Sequence, residues 1–130
     1  RDVPVAQGDR IKRAYVQFEG NAWGAWVNEG LILHGELAAN AASFEDVKNN
    51  ITSRRKTVAS VECPPDIWDM RTLNCRTPDL ASVIQEIAAQ PDWQKGNSLV
   101  LIIGGSSQGE PSSWDDGQGK YSPMLYIEVE

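Results

Sequence analysis

The stretch Arg76-Thr-Pro-Asp-Leu-Ala-Ser-Val-Ile-Gln-Glu-Ile-Ala-Ala-Gln-Pro-Asp-Trp-Gln-Lys-Gly-Asn-Ser-Leu-Val-Leu-Ile-Ile103 decides how the rest of the chain is read. It predicts a short helix, a turn and a buried strand. Thr77 carries the hydroxyl of an N-cap, Pro78 suits a first helical turn through its fixed φ, and Asp79 complements the positive end of the helix dipole. Leu80, Val83, Ile84 and Ile87 follow at i, i+3, i+4 and i+7, an apolar stripe about two turns long. Pro91 stops the helix, because proline lacks an N–H and disfavours helical geometry at Gln90. Gly96-Asn97 then turns the chain into a strand from Leu99 to Ile103. The expectation is a helix packed across the mouth of a β-core.

Working outward, Arg10 to Phe18 alternates Ile11, Arg13, Tyr15 and Gln17 against Lys12, Ala14, Val16 and Phe18, and reads as a strand. Asn21 to Gly30 is a glycine-punctuated loop or bulged hairpin, and Leu31 to Glu36 is a second strand. Ala38 to Ala42 is irregular, and Glu45 to Asn50 reads as a helical turn or an ordered loop. Thr57 to Glu62 is a third strand. Gly104 to Ser122 is a long polar stretch, better read as an ordered loop than a linker because core strands flank it. Met124 to Val129 is the last strand. Short strands joined by Gly-rich and Pro-rich connections indicate an all-β sandwich with one short helix rather than alternating βαβ units.

The chain of 130 residues suits a single domain spanning 1–130, and it is long enough to bury a core. Its hydrophobic share of 41% and charged share of 23% are those of an ordinary globular domain. No apolar run approaches the length of a membrane span, so no membrane insertion is expected. A net charge of −6 and a pI near 4.7 repel phosphate backbones, so nucleic acid is not an expected partner, and neutral or cationic ones are. The short run Arg54-Arg55-Lys56 suits a local acidic group. The chain starts at Arg1 rather than Met, which suggests a processed or excised product.

Cys63 and Cys75 bracket an eleven-residue loop. A disulfide between them would contribute roughly 3 kcal/mol by restricting the unfolded chain, and it fits a secreted protein. The competing reading, a reactive or metal-binding pair, lacks the second CxxC or histidine pair that a site would need.

Catalytic signatures are absent. His34 is the one histidine, placed in an apparent strand where a packed or hydrogen-bonded role is the ordinary one. The chain has no Gly-x-Ser-x-Gly elbow, P-loop or His-Glu-x-x-His, and no enzymatic activity is expected. Glu110, Asp115 and Asp116 lie close in a loop with backbone carbonyls, a candidate calcium site whose competing reading is a solvated acidic loop. Among five tryptophans, Trp23 and Trp26 stand in Asn21-Ala-Trp-Gly-Ala-Trp-Val-Asn28. If exposed together, the two rings stack on a sugar or anchor another protein, with Asn21 and Asn28 bonding hydroxyls. Alternatively, they cover an open sheet edge.

The central stretch also resembles a known module. Arg76 to Leu80, Val83 to Ile87, Trp93 and Gly96 to Ile103, together with Val5 to Gly8, Ala14 to Phe18, Gly35-Glu36, Asn40-Ala41, Ile51 to Arg54, Ser113 to Asp115 and Pro123 to Val129, are similar to a non-catalytic β-jelly-roll module of secreted and surface-anchored bacterial proteins. That module is distantly similar to DNRLRE-type and carbohydrate-binding domains. The resemblance implies a jelly-roll-like sandwich and makes Trp68, Trp93 and Trp114 packing residues. It also implies further strands ahead of Val5, so the chain reads as the C-terminal part of a larger domain whose sheet is completed by a partner strand, a second chain or a rearrangement. Ala39 stands where the family usually has Asp, which weakens any polar network carried over through Glu36 and Asn40. The implied function is an extracellular, secreted or cell-surface adhesion module that binds carbohydrate. The alternative is an assembly subunit whose open edge and tryptophans contact another chain.

Overall fold

The computed structural model describes residues 1–19, 27–64, 74–108, 119 and 121–130, with backbone alone at 27–29, 74–75 and 106–108. The chain order is β1 (Ile11–Glu19), β2 (Val27–Glu36), β3 (Lys56–Cys63), β4 (Asn74–Arg76), α1 (Ala81–Ala88), β5 (Leu101–Gln108) and β6 (Met124–Val129). The strands form two antiparallel sheets, ordered β4-β1-β6 and β3-β2-β5. The fold is all-β with one short helix, as the sequence predicts.

Alternation in β1 sends Ala14, Val16 and Phe18 into the core and leaves Arg13, Tyr15 and Gln17 on the outer face. Ile11 breaks that pattern: the sequence sets it on the face of Arg13, yet it is buried, because a register shift between Ile11 and Arg13 turns it inward. Strand β2 starts at Val27, four residues before the expected Leu31, since its extra residues pair with Ser107 and Gln108. Strand β5 runs from Leu101 through Gln108, so the expected strand at Leu99 begins late and the expected loop at Gly104 is paired. Gly105 permits this. Its φ is +117°, and a Cβ there would collide with the Gly30 carbonyl. The three-residue β4 was too short to carry a strand pattern.

The apolar stripe of α1 behaves as its spacing dictates. Leu80, Val83, Ile84 and Ile87 are at most 1% exposed, and each buried side chain stabilises the fold by about 1.5–3 kcal/mol. Behind the helix, Trp93 fills the end of the core and its Nε1 donates to the Val5 carbonyl at 2.9 Å. Val3 joins the same end, its N–H bonding the Asn97 carbonyl at 3.1 Å. Gly35 of β2 lets the helix sit this close, because a Cβ at that position would lie 2.5 Å from Ile87 Cδ1.

The cap corrects the sequence reading. Thr77 does not cap α1: its Oγ1 accepts from the Val16 N–H at 3.0 Å and donates to the Pro78 carbonyl. Asp79 Oδ1 instead accepts from the Ala81 N–H at 3.0 Å and also from the Ala14 N–H at 2.9 Å. Residues 77–85 thereby continue the sheet beyond the end of β4. The Thr77 and Leu80 N–H groups donate to the Val16 and Ala14 carbonyls, and Gln85 takes the Ile11 N–H while donating to the Asp9 carbonyl. Glu86 does the same for the other sheet. Where β3 bulges between its pairings at Lys56 and Ser60, the Glu86 carboxylate accepts the N–H groups of Val58 and Ala59 at 2.9 and 2.8 Å. The helix thus bridges both sheets at one pole and satisfies backbone groups that the ladders leave over.

Candidate functional site

The strand registers define the opposite pole. Glu19 pairs with Asn74, Gln17 with Met124, Leu31 with Cys63 and Val27 with Gln108, so the strand ends that bracket stretches 20–26, 65–73 and 109–118 all lie away from the helix. Each of these connections passes from one sheet to the other. Four of the five tryptophans, Trp23, Trp26, Trp68 and Trp114, belong to them. Asn21, Trp23 and Trp26 lie outside the described residues, as do the calcium candidates Glu110, Asp115 and Asp116. Asn28 is described by its backbone, which pairs with Ser107 in β5. Among the described residues no group of three or more metal-ligating side chains comes together.

Cys63 closes β3 with its side chain 1% exposed, and as a thiol it is pushed up to about 11 by burial. Its register partner is Leu31, while the backbone of Cys75 pairs with Phe18. The two cysteines therefore stand on strands of facing sheets, each opposite a core residue. His34 is half-buried, with Nδ1 3.2 Å from the Thr57 carbonyl. Arg54 is drawn inward to Glu36 at 2.6 Å and bonds the Ala42, Ser43 and Asn50 carbonyls, so part of the basic run meets its acidic group within the chain. Asn40 accepts from the Ser98 N–H at 2.9 Å, tying the 38–55 segment to the turn that follows α1.

Two features emerge that sequence reading did not single out. The first is the outer face of the β4-β1-β6 sheet. Tyr15 of β1 stacks on Tyr126 of β6 with ring centroids 5.0 Å apart and planes 20° from parallel. The guanidinium carbons of Arg76 and Arg13 lie 4.3 and 5.6 Å from the Tyr15 centroid. A groove of about 240 Å³ runs beside the stack, lined by Arg13, Tyr15, Tyr126, Ile127 and Glu128. The alternation of β1 placed Arg13 and Tyr15 together, but their meeting with Tyr126 and Arg76 depends on pairings between strands far apart in sequence.

The second feature is a cleft of about 860 Å³ between the sheets, lined by Val16, Phe18, Leu33, Leu101, Ile103 and Leu125 among others. It opens between β5 and β6, each the outermost strand of its sheet among the described residues. Ile103 pairs with the buried Leu33 and shares its face of the sheet, yet it is 44% exposed. Leu125 and Ile127, opposite the buried Val16 and Ala14, are likewise only half-buried.

No family model, curated protein or solved structure matches the chain. Among the described residues, no helix is long and apolar enough to cross a membrane.

Proposed function

We propose that the chain is a non-catalytic, jelly-roll-like binding module acting outside the cell, and that it holds a neutral or cationic glycan at Trp23 and Trp26 with polar support from Asn21 and Asn28. The observation that carries this reading is the gathering of strand ends at the pole away from α1. Connections that share one end of a rigid β-scaffold are where binding residues concentrate, and these hold four tryptophans. Tryptophan supplies a flat apolar face for a pyranose, and neighbouring amides discriminate its hydroxyls. A Cys63–Cys75 disulfide belongs to the same extracellular reading, because it would join the two sheets near that pole. Retention on immobilised neutral polysaccharides tests the proposal. Trp23→Ala and Trp26→Ala are expected to abolish retention with an unchanged melting temperature and oligomeric state. Undiminished retention in both variants would sink the reading.

A second reading is assembly through the open flank. It is favoured by Ile103, a core-facing side chain left 44% exposed beside an apolar cleft. An outermost strand offers unpaired backbone groups to another extended chain, and the cleft would take its apolar side chains. Sedimentation separates the two. A self-associating protein that Ile103→Asp converts to monomer, with glycan retention absent, would make assembly the function.

A further inference from the structure

We propose that the outer face of the β4-β1-β6 sheet is a second binding site, selective for a carboxylate-bearing glycan of the uronate class, with Arg13 and Arg76 taking the carboxylates and Tyr126 supporting the sugar ring. It does not rest on the tryptophan site, which lies in other segments.

Charge decides the occupant. The chain carries −6 overall, but on this face the cations outnumber their partners. Arg10 is paired with Glu130 at 3.3 Å and Lys12 with Glu128 at 2.5 Å. Arg13 and Arg76 are exposed and make no ion pair among the described residues, although Glu128 is the register partner of Arg13. Glu19, two residues beyond Gln17 on the same face of β1, bounds the basic patch without pairing to either arginine. The guanidinium carbons of Arg13 and Arg76 lie 5.6 and 4.3 Å from the Tyr15 centroid, so each positive charge is anchored to a ring that is itself fixed against Tyr126. Guanidinium groups stacked on an aromatic ring are pre-organised, and their in-plane N–H donors match the planar fork of a carboxylate.

The aromatic partner and the groove narrow the ligand further. Tyr126 is 47% exposed and borders the groove of about 240 Å³. That volume equals about eight waters at roughly 30 Å³ each, room for one sugar ring. A chain with several sulfates per sugar meets more repulsion from the acidic remainder of the surface than one with a single charge per sugar. A uronate chain brings one carboxylate per sugar and a ring to pack on tyrosine, which is the combination this face offers.

Affinity electrophoresis of the whole chain through gels containing polygalacturonate, dextran sulfate or neutral galactan tests this. The wild type is expected to be retarded by polygalacturonate in a salt-sensitive way and to run freely in dextran sulfate. Arg13→Ala and Arg76→Ala should each weaken retardation roughly tenfold, the loss of one charge-assisted bond pair. Arg13→Lys and Arg76→Lys, which keep the charge and lose the fork, should fall nearer to alanine than to wild type. Both arginines are exposed, so unchanged melting temperatures are expected and checked. Polygalacturonate that fails to retard the wild type, or retards the double alanine variant equally, overturns the proposal. Retardation by dextran sulfate equal to that by polygalacturonate also overturns it, as ordinary ion exchange. Neutral-glycan retention, which depends on Trp23 and Trp26, should be unaffected by the arginine variants, so failure of either site is recognised separately.

Discussion

Asp79→Ala tests the claim that the segment entering α1 substitutes for a sheet strand. A single oxygen, Oδ1, accepts from the Ala14 N–H at 2.9 Å and the Ala81 N–H at 3.0 Å, so one substitution strips both a strand and a helix terminus. Losing the acceptor of the Ala81 N–H costs about 1 kcal/mol. The Ala14 N–H is the larger loss, because that residue is 0% exposed and water has poor access to the orphaned donor, which adds about 1–3 kcal/mol. A total of about 2–4 kcal/mol should lower the urea midpoint by roughly 1–2 M for a slope near 2 kcal/mol/M, with the slope unchanged. Asp79→Asn keeps an acceptor oxygen of the same reach and should lose under about 1 kcal/mol, since the amide oxygen can still accept both N–H groups. Equilibrium unfolding followed by tryptophan fluorescence reads both. A loss below about 0.5 kcal/mol for alanine would refute the argument, as would equal losses for alanine and asparagine, which would make charge rather than the acceptor geometry the cause.

Gly35→Ala should destabilise by about 1–3 kcal/mol through its clash with Ile87 Cδ1, and pairing it with Ile87→Val should lose less than the sum of the single variants by at least about 0.5 kcal/mol in a double-mutant cycle. Arg54→Ala strands Glu36, whose side chain is 13% exposed, and should cost about 3 kcal/mol by urea unfolding, whereas replacing both partners with apolar residues of similar volume should cost less. For the reduced chain, burial pushes the folded Cys63 thiol up to about 11 from an ordinary value of 9.0, so the fold favours the neutral thiol. The contribution is whole below about pH 9 and falls as pH rises toward 11, a decline that the difference between wild type and Cys63→Ala in urea midpoints should show. After oxidation, intact mass should be lower by two hydrogens and that decline should disappear until reductant is added.

The fold was legible wherever period and burial agree. Leu80, Val83, Ile84 and Ile87 predicted a helix face, and the alternation of Arg10 to Phe18 predicted a strand, because both patterns are local. The errors share a cause. Thr77 reads as the helix cap, yet the Val16 N–H, far away in the chain, takes its hydroxyl; the N-cap position falls at Leu80 and Asp79 beside it accepts from Ala81. Ile11 alternates with Arg13 and Tyr15 in sequence, but a bulge turns it into the core, and β4 is too short to show any period. The aromatic face failed to show for the same reason: Arg13 and Tyr15 are neighbours by alternation, but Tyr126 and Arg76 join them only through two long-range pairings. Sequence pattern gives the faces of an element, and register decides what each face meets.

The distribution of edge protection argues for where partners bind. On the flank of β4 and β3, the helix segment spends Thr77, Asp79, Gln85 and Glu86 on backbone groups that the ladders leave over, four polar side chains on or beside a helix of eight residues. Thr77 and Asp79 precede the helix and Gln85 and Glu86 lie within it, away from its buried stripe, so the segment covers that flank while still packing its apolar face. Beside β5 and β6 the residues Arg1 to Pro4 line one part of the cleft, and the inward apolar side chains Ile103, Leu125 and Ile127 remain partly exposed. Among the described residues, the flank of β5 and β6 is the less covered of the two, which is the observation behind the proposed assembly surface. The basic face carried by β1, β4 and β6 adjoins that side through β6, because Tyr126 both stacks on Tyr15 and lines the cleft. Tyr126 thus borders both surfaces, and an occupant of the cleft is expected to lower the exposure of its ring, which quenching of tyrosine emission would read.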